Sequence, residues 1–436
     1  MTEELIKNET NIRRYCEVFT PSHIVKDICD LIPINIWKDP SYTFIEPTCG
    51  NGQFLAYIVN KRIENGIDPL TAIVTLVGMD ISDDNIQESI HRIYVITNID
   101  PLIISSHIFK VKDSIQYIND KYIQGDKLVV LGNPPYHIID GSGSGYMTFP
   151  IYKTFIETIL DVLNPDYLSM IVPSRWMVGG RGLNEFKHRM MNDNHIKKIV
   201  HFPGHNEIFT DVFIKGGVNY FLWDKSYNGD CEFAVNSYST YMKLNKYDII
   251  LQDIKAIPIL DKILNHNSKW HSSTCCNRMP FKIPNKFNNW VNSGIECYTA
   301  NKIIKYVDPN EFTDKNNIFY KWKVCTSKGI NPNEITGKFE KYNNLFIANP
   351  SQICSETYLV VNSFDTEVEA INFIHYMETK FFKFFLGLRV TTQNMASGSF
   401  TWVADMGDYT KKWEDIELYK LFNLTEDEIN YIETLH

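Results

Sequence analysis

The residues best suited to chemistry in this chain are Asn133-Pro134-Pro135-Tyr136, which directly follow the apolar run Leu128-Val129-Val130-Leu131-Gly132. Proline has no N–H and a fixed φ, so two in succession end a strand rigidly and leave the Pro134 carbonyl able to accept a hydrogen bond. The side-chain carbonyl of Asn133 supplies a second acceptor, and the Tyr136 ring offers a face for stacking. Two acceptors converging on one planar NH₂ group, with its ring held flat, suit an amine that must be bound and made nucleophilic.

A second set of residues could hold a nucleoside. Phe44-Ile45-Glu46-Pro47-Thr48-Cys49-Gly50-Asn51-Gly52-Gln53-Phe54-Leu55 reads as a strand, an acidic residue, a glycine-bearing turn and a helix start. Such a turn lets a ligand approach the backbone at the carboxyl end of a strand, where open α/β sheets bind nucleotides. It is not the dinucleotide G-x-G-x-x-G, and an ordinary tight turn fits it as well. Gly78-Met79-Asp80-Ile81 places a carboxylate at the next strand tip, where it can accept from ribose hydroxyls, and Val111-Lys112-Asp113-Ser114 offers another for the exocyclic amine of an adenine ring. Either aspartate alone fits a helix N-cap. Three successive strand tips of this kind point to a nucleoside-bearing ligand.

Positioning these residues takes a sheet covered on both faces, and the first half alternates strand-like and helix-like stretches accordingly. Strands are expected at Tyr42–Ile45, Thr75–Met79, His107–Val111, Lys127–Leu131, Tyr167–Val172 and Lys198–His201, with Val212–Ile214 and Val218–Trp223 as a terminal hairpin. Helices are expected at residues 22–31, after Thr20-Pro21, and at Ile151–Leu163, where apolar residues recur at helical spacing. This α/β assembly ends near residue 230. Beyond it the periodicity weakens, until one long helix over Glu367–Leu386 and a closing helical segment over Asp415–Ile432.

Composition sets the frame. The 436 residues, 44% hydrophobic and 22% charged, are those of a folded multi-domain protein. The nine cysteines include no C-x-x-C pair, and Cys275-Cys276, with His271 nearby, has no second pair at metal-ligand spacing, so buried free thiols in a reducing cytoplasm are expected, with no metal. The polar amino-terminal stretch is no signal peptide, and no apolar run nears the ~18 residues of a membrane span. A net charge of −9 argues against indiscriminate coating of nucleic acid, yet residues 265–350 carry twelve positive and six negative side chains. That local excess fits an anionic partner or a solvated lysine surface.

Together with Glu17-Val18-Phe19-Thr20-Pro21 ahead of the glycine turn, these motifs resemble the gamma-ordered N6-adenine class of DNA methyltransferases from type II restriction-modification systems. The resemblance spans roughly residues 15–225, with five motifs in order. It implies a Rossmann-like, seven-stranded class I methyltransferase domain over residues 1–230 and a mixed α+β DNA target-recognition domain with a C-terminal helical segment over 231–436. Phe19, Thr20, Pro21, Glu46, Pro47, Cys49, Gly50, Asp80, Ile81, Asp113, Ser114 and Asn133 would line a site for S-adenosyl-L-methionine. Asn133, Pro134, Pro135 and Tyr136 would be catalytic. Where the family often has an aromatic or aliphatic residue, Ser114 stands here, so the apolar contact to the adenine falls to Ile115.

The resemblance further makes Phe209 the second stacking wall for an extruded base, although a core phenylalanine fits the same pattern. The glycine- and serine-rich run after Tyr136 reads as an ordering loop or plain surface. Arg175 and Arg181 could meet phosphates. Lys282 and Lys286 lie in the basic window, and Gln393 and Asn394 are types able to read adenine, or simply turn residues. The expected reaction is methyl transfer to N6 of an adenine rotated out of duplex DNA, with double-stranded DNA and a cognate restriction endonuclease as partners and no membrane. N4-cytosine DNA methylation, protein glutamine methylation and a non-enzymatic DNA-binding role are the rival readings.

Overall fold

In a computed structural model, residues 20–435 are described except 122–126, 140–147, 181, 205, 210–213, 215, 267–268, 277, 330–341 and 391–393. The short apolar runs of the first half become strands because both of their faces are covered. These are β1 (Thr43–Glu46), β2 (Leu76–Asp80), β3 (Ile108–Lys110) and β4 (Leu128–Gly132), followed by β7 (Tyr167–Pro173), β8 (Ile196–Phe202) and β9 (Val218–Asp224). Between β4 and β7, β5 (His137–Ile139) and β6 (Thr148–Pro150) pair as a separate two-stranded ribbon. β4 is buried at all five positions, as an interior parallel strand should be.

The large sheet runs β11-β10-β8-β9-β7-β4-β1-β2-β3, where β10 is Cys231–Val235 and β11 is Tyr238–Met242. It therefore holds nine strands rather than the seven expected. The two extra strands also move the boundary: the compact units are residues 1–254 and 255–436, not 1–230 and 231–436. The reason is backbone pairing, since β10 lies parallel to β8 through Phe233↔Ile199 and Ala234↔Val200 and cannot be cut from the sheet. Val218–Trp223, expected as one arm of a hairpin with Val212–Ile214, forms β9. Residues 212 and 213 lie outside the described residues, and β9 runs antiparallel between β7 and β8.

Chain order reverses at β1. The chain proceeds from β1 outward to β2 and β3, then returns to lay β4 on the other side of β1, in register Phe44↔Val129 and Ile45↔Val130. This is the switch point at which open α/β sheets form a crevice at their carboxyl ends. It sets the ends of β1 and β4, Glu46 and Gly132, beside each other. Helices Ser22–Asp30, Gln53–Glu64 and Asp83–Thr97 cover the sheet with Ile24, Ile28, Leu55, Ile58, Ile86, Ile90 and Ile93, all buried in one core with Phe44 and Val129. Each such side chain contributes about 1.5–3 kcal/mol by leaving water.

The second unit holds two small sheets, β12-β14-β13-β17 and β16-β15-β18, comprising β12 (Trp290–Val291), β13 (Ile295–Tyr298), β14 (Ile304–Val307), β15 (Trp322–Ser327), β16 (Phe346–Ala348), β17 (Ile353–Cys354) and β18 (Tyr358–Phe364). Its helices include Ala256–His266, Glu367–Glu378, Lys380–Gly387, Asp415–Leu421 and Glu426–Leu435. The long helix expected over Glu367–Leu386 is thus two. Thr379 leaves helical geometry at ψ 151° and caps the second helix by accepting the Phe382 N–H, while Asp415 takes the N–H groups of Lys380 and Phe381. The closing segment is likewise broken, at Asn423 with φ +51°.

Candidate functional site

The turn after β1 is built by backbone geometry that few residues tolerate. Gly50 and Gly52 have φ of +51° and +82°, and a Cβ on Gly52 would stand 2.6 Å from Ser89 Oγ and 2.8 Å from Ser89 Cα. Glycine is required there to let the Gln53–Glu64 helix start against Asp83–Thr97. Asp80 holds the turn: Oδ2 accepts the Gly50 N–H at 2.9 Å, and Oδ1 accepts Ser82 N–H at 2.8 Å and Asn85 Nδ2 at 3.0 Å. Ser89 Oγ donates to the Gly50 carbonyl at 3.1 Å. A Cβ placed on Gly50 would meet nothing within 4 Å among the described residues, so that side of its backbone is open.

Glu46, at the end of β1, is 2% exposed. Burial pushes its carboxyl well above the ordinary range, the nearby Asp80 carboxylate adds to the effect, and the Leu55 N–H partly opposes it. Cys49 is buried beside it, with its N–H donated to the Met79 carbonyl at 2.7 Å and its thiol pushed up by burial. Asp113, by contrast, is exposed and accepts the N–H groups of Ile115 and Gln116 at 2.9 and 3.1 Å, which makes it a cap for the Ser114–Lys121 helix as well as a surface carboxylate.

Asn133 ties three distant segments together. Its Nδ2 donates to Thr20 Oγ1 at 3.1 Å, and its backbone carbonyl accepts from Thr48 Oγ1 at 3.3 Å. The side-chain amide is thereby fixed, with its nitrogen committed to Thr20. Beside Asn133, Gly132 adopts φ +148°, and a Cβ there would lie 3.2 Å from Glu46 Cγ. Pro134 is buried and Pro135 half-buried.

Tyr136 departs from the expected arrangement. Its ring is buried, and the Phe209 ring meets it at 6.4 Å and 69°, edge against face, so the two do not form an open slot for a base. Phe209 is itself 5% exposed and part of the core that includes Ile208 and Ile214. The hydroxyls of Tyr136 and of the neighbouring Tyr152 have no hydrogen-bond partner among the described residues. Burial pushes both upward, and each hydroxyl sits in a charged or polar neighbourhood, Tyr152 beside Tyr136 and Arg175 beside Tyr152.

Of the other expected residues, Thr20, Pro47 and Ser114 are buried, Pro21 is half-buried, and Ile81 is 51% exposed. Arg175 is half-buried next to Tyr152 rather than freely presented. Lys282, Lys286 and Asn394 are exposed in the second unit, and Asn394 bridges to Gly329. Phe19, Arg181 and Gln393 lie outside the described residues. The basic window also loses one surface charge: Lys323 is 0% exposed, its ammonium donating to the carbonyls of Phe319, Lys321 and Asn349 at 2.7–2.9 Å, with burial lowering its pKa to about 8. Residues that sequence reasoning passed over are Thr48, Asn85, Ser89 and Tyr152. Thr48 lay within a quoted motif, whereas Asn85 and Ser89 carry only the i, i+4 spacing of one helix face as a signal.

Fold and site define a mixed α/β sheet whose strand order reverses at β1, with the Asn-Pro-Pro-Tyr turn directly after the neighbouring β4. Residues 76–209 match the Eco57I restriction-modification methylase family. A Mycoplasma pneumoniae protein described as an uncharacterized adenine-specific methylase is 32% identical over 129 residues, which is 28% of this chain and 30% of that relative. Solved structures with similarity include the type IIL restriction-modification enzyme MmeI in complex with DNA (10% identity, TM-score 0.49, 99% of this chain and 78% of that one) and the type IIG restriction endonuclease BpuSI (12% identity, TM-score 0.45, 96% and 62%). Among the described residues no helix is long and apolar enough to cross a membrane.

Proposed function

We propose that this chain is a site-specific DNA methyltransferase that uses S-adenosyl-L-methionine to methylate N6 of an adenine rotated out of duplex DNA, as a cytoplasmic component of a gamma-class, type II-like restriction-modification system. The observation that carries the reading is Asn133: one residue joins the Thr20 segment, the glycine turn through Thr48 and the end of β4, bringing the expected cofactor-facing and base-facing residues to one place.

The residues present fit the cofactor. Gly50 has open space where a Cβ would stand, which permits close approach from that side, and Glu46 places a buried carboxyl where a sulfonium or ammonium group needs a counter-charge. When bound, S-adenosylmethionine supplies a methyl group on positive sulfur. Asn133 Oδ1 and the Pro134 carbonyl accept the two N–H groups of the target amine, which directs its lone pair out of the plane. Fixing Asn133 through Thr20 prepays the orientation of that amine, and orientation of reacting groups supplies much of the rate gain in such transfers. Tyr136 supports the base ring, and in this reading Phe209 must leave its edge-on contact before a base can lie against the tyrosine. Exposed Lys282 and Lys286 in the second unit offer phosphate contacts, and that unit, 255–436, is the proposed recognition module for DNA, with a cognate restriction endonuclease as a partner of the system.

The test is long-read sequencing of DNA from a methylation-free host expressing the chain. N6-methyladenine at one sequence motif is the expected result. N4-methylcytosine would move the reading to the cytosine amine. Unmodified DNA, with methyl transfer to a protein glutamine, would replace it.

A further inference from the structure

Glu46 has a chemical problem that the protein alone does not solve. Its Oε2 has no hydrogen-bond partner among the described residues, although the residue is 2% exposed. The titratable groups facing it are the Asp80 carboxylate from β2, the Cys49 thiol from the glycine turn and the Cys29 thiol from the Ser22–Asp30 helix. β4 contributes Gly132, which has no side chain to offer. Among the described residues none of these is a cation, and burial keeps both thiols in their neutral form. One backbone N–H, that of Leu55, favours the charged carboxylate; lost hydration and the neighbouring carboxylate oppose it.

We propose that Glu46 is protonated in the cofactor-free protein and releases that proton when S-adenosylmethionine binds, so that cofactor binding is coupled to proton release. The inference rests on the cofactor reading above. The step balances simply: the carboxyl O–H bond breaks, the proton passes to solvent, and the positive charge of the arriving cofactor replaces it beside the carboxylate. Glu46 is thus a positioning residue whose negative charge exists only while the cofactor is there to be positioned. The same device lowers the cost of keeping a carboxylate beside Asp80 in the absence of ligand.

Calorimetry on the full chain with S-adenosylmethionine, at one pH in phosphate and in Tris, tests this. The wild type should bind with more heat evolved in Tris, whose protonation is strongly exothermic, by an amount approaching one proton per site. Glu46→Gln should bind more weakly and give equal observed heats in both buffers. Wild-type affinity should rise with pH by up to about tenfold per unit until Glu46 titrates in the free protein, then level off. Buffer-independent heats in the wild type, or a buffer dependence that survives in Glu46→Gln, would overturn the proposal. Should the variant not fold, infrared difference spectroscopy of the wild type gives the same answer: loss of a protonated-carboxyl band on cofactor addition supports it, and no change overturns it. Absence of any cofactor binding at all would instead remove the underlying reading.

Discussion

The crevice has two walls that the chain treats differently. At the tip of β2, every oxygen of Asp80 is spent on the chain itself, on Gly50, Ser82 and Asn85, and Asp113 at the next tip caps its own helix. Across β1, at and beyond the tip of β4, the buried hydroxyls of Tyr136 and Tyr152 and the Trp176 indole N–H have no partner among the described residues. Buried polar groups are costly unless paired. A wall that satisfies its own donors and acceptors is scaffold first, whereas the other wall is the one that the proposed function gives to the target base.

The largest effects should fall on the unmet wall. Asn133→Ala and Tyr136→Ala should remove methyl transfer, by at least the ~10²–10³-fold typical for losing one group that is preorganised for a transition state, while calorimetric affinity for the cofactor stays within a few-fold. Loss of cofactor binding in both variants would erase the distinction between the walls.

Phe209→Ala sharpens the comparison from the other side. Phe209 is packed in the core against Tyr136, so truncation should lower stability by about 3–5 kcal/mol, read as a fall in melting temperature. If transfer by the surviving folded protein is normal, Phe209 is scaffold. If transfer falls while the melting temperature holds, it is the second wall of the base pocket.

His201, at the end of β8, is wholly buried and linked to Ser174 Oγ at 2.8 Å, and burial lowers its pKa to about 4. The unfolded chain therefore takes up a proton near pH 6.5, before the folded one does. Its stabilising contribution is complete above pH 6.5 and is lost as pH falls towards about 4, on the order of 3 kcal/mol in all. Denaturant titrations at pH 7 and pH 5 should show this acid weakening, and His201→Asn should flatten it.

Asp80→Asn should have the smallest effect of the four. One oxygen still accepts, and the loss of a carboxylate acceptor costs about 1.5–3 kcal/mol, divided between stability of the glycine turn and cofactor affinity. A melting curve with and without S-adenosylmethionine separates the two shares. A drop confined to the ligand-induced shift would mean that Asp80 serves the ligand more than its own turn.

Much of this was legible in the sequence. Asn133–Tyr136 stands out because Pro-Pro after a fully apolar strand has few local explanations, and the strands around it follow from runs too apolar to face water. The doubtful residues were those with two honest uses, such as Asp80, Asp113 and Phe209, since an aspartate at a strand tip caps a helix or grips a ligand with the same oxygens. Lys323 shows the limit of counting charge: nothing local to it reveals that three backbone carbonyls will surround it.

The sequence by itself determined that the apolar runs of β1–β4 and β7–β9 are strands and where the residue types suited to amine chemistry stand, because these depend on side-chain identity and short-range sterics. Tertiary structure alone decided that β10 and β11 extend the sheet to nine strands, that Thr20, Thr48 and Asn133 meet, and that Glu46 is sealed beside Asp80. Those are outcomes of pairing and burial between residues far apart in the chain. The desolvation that gives Glu46 its chemistry does not exist until the sheet has closed around it.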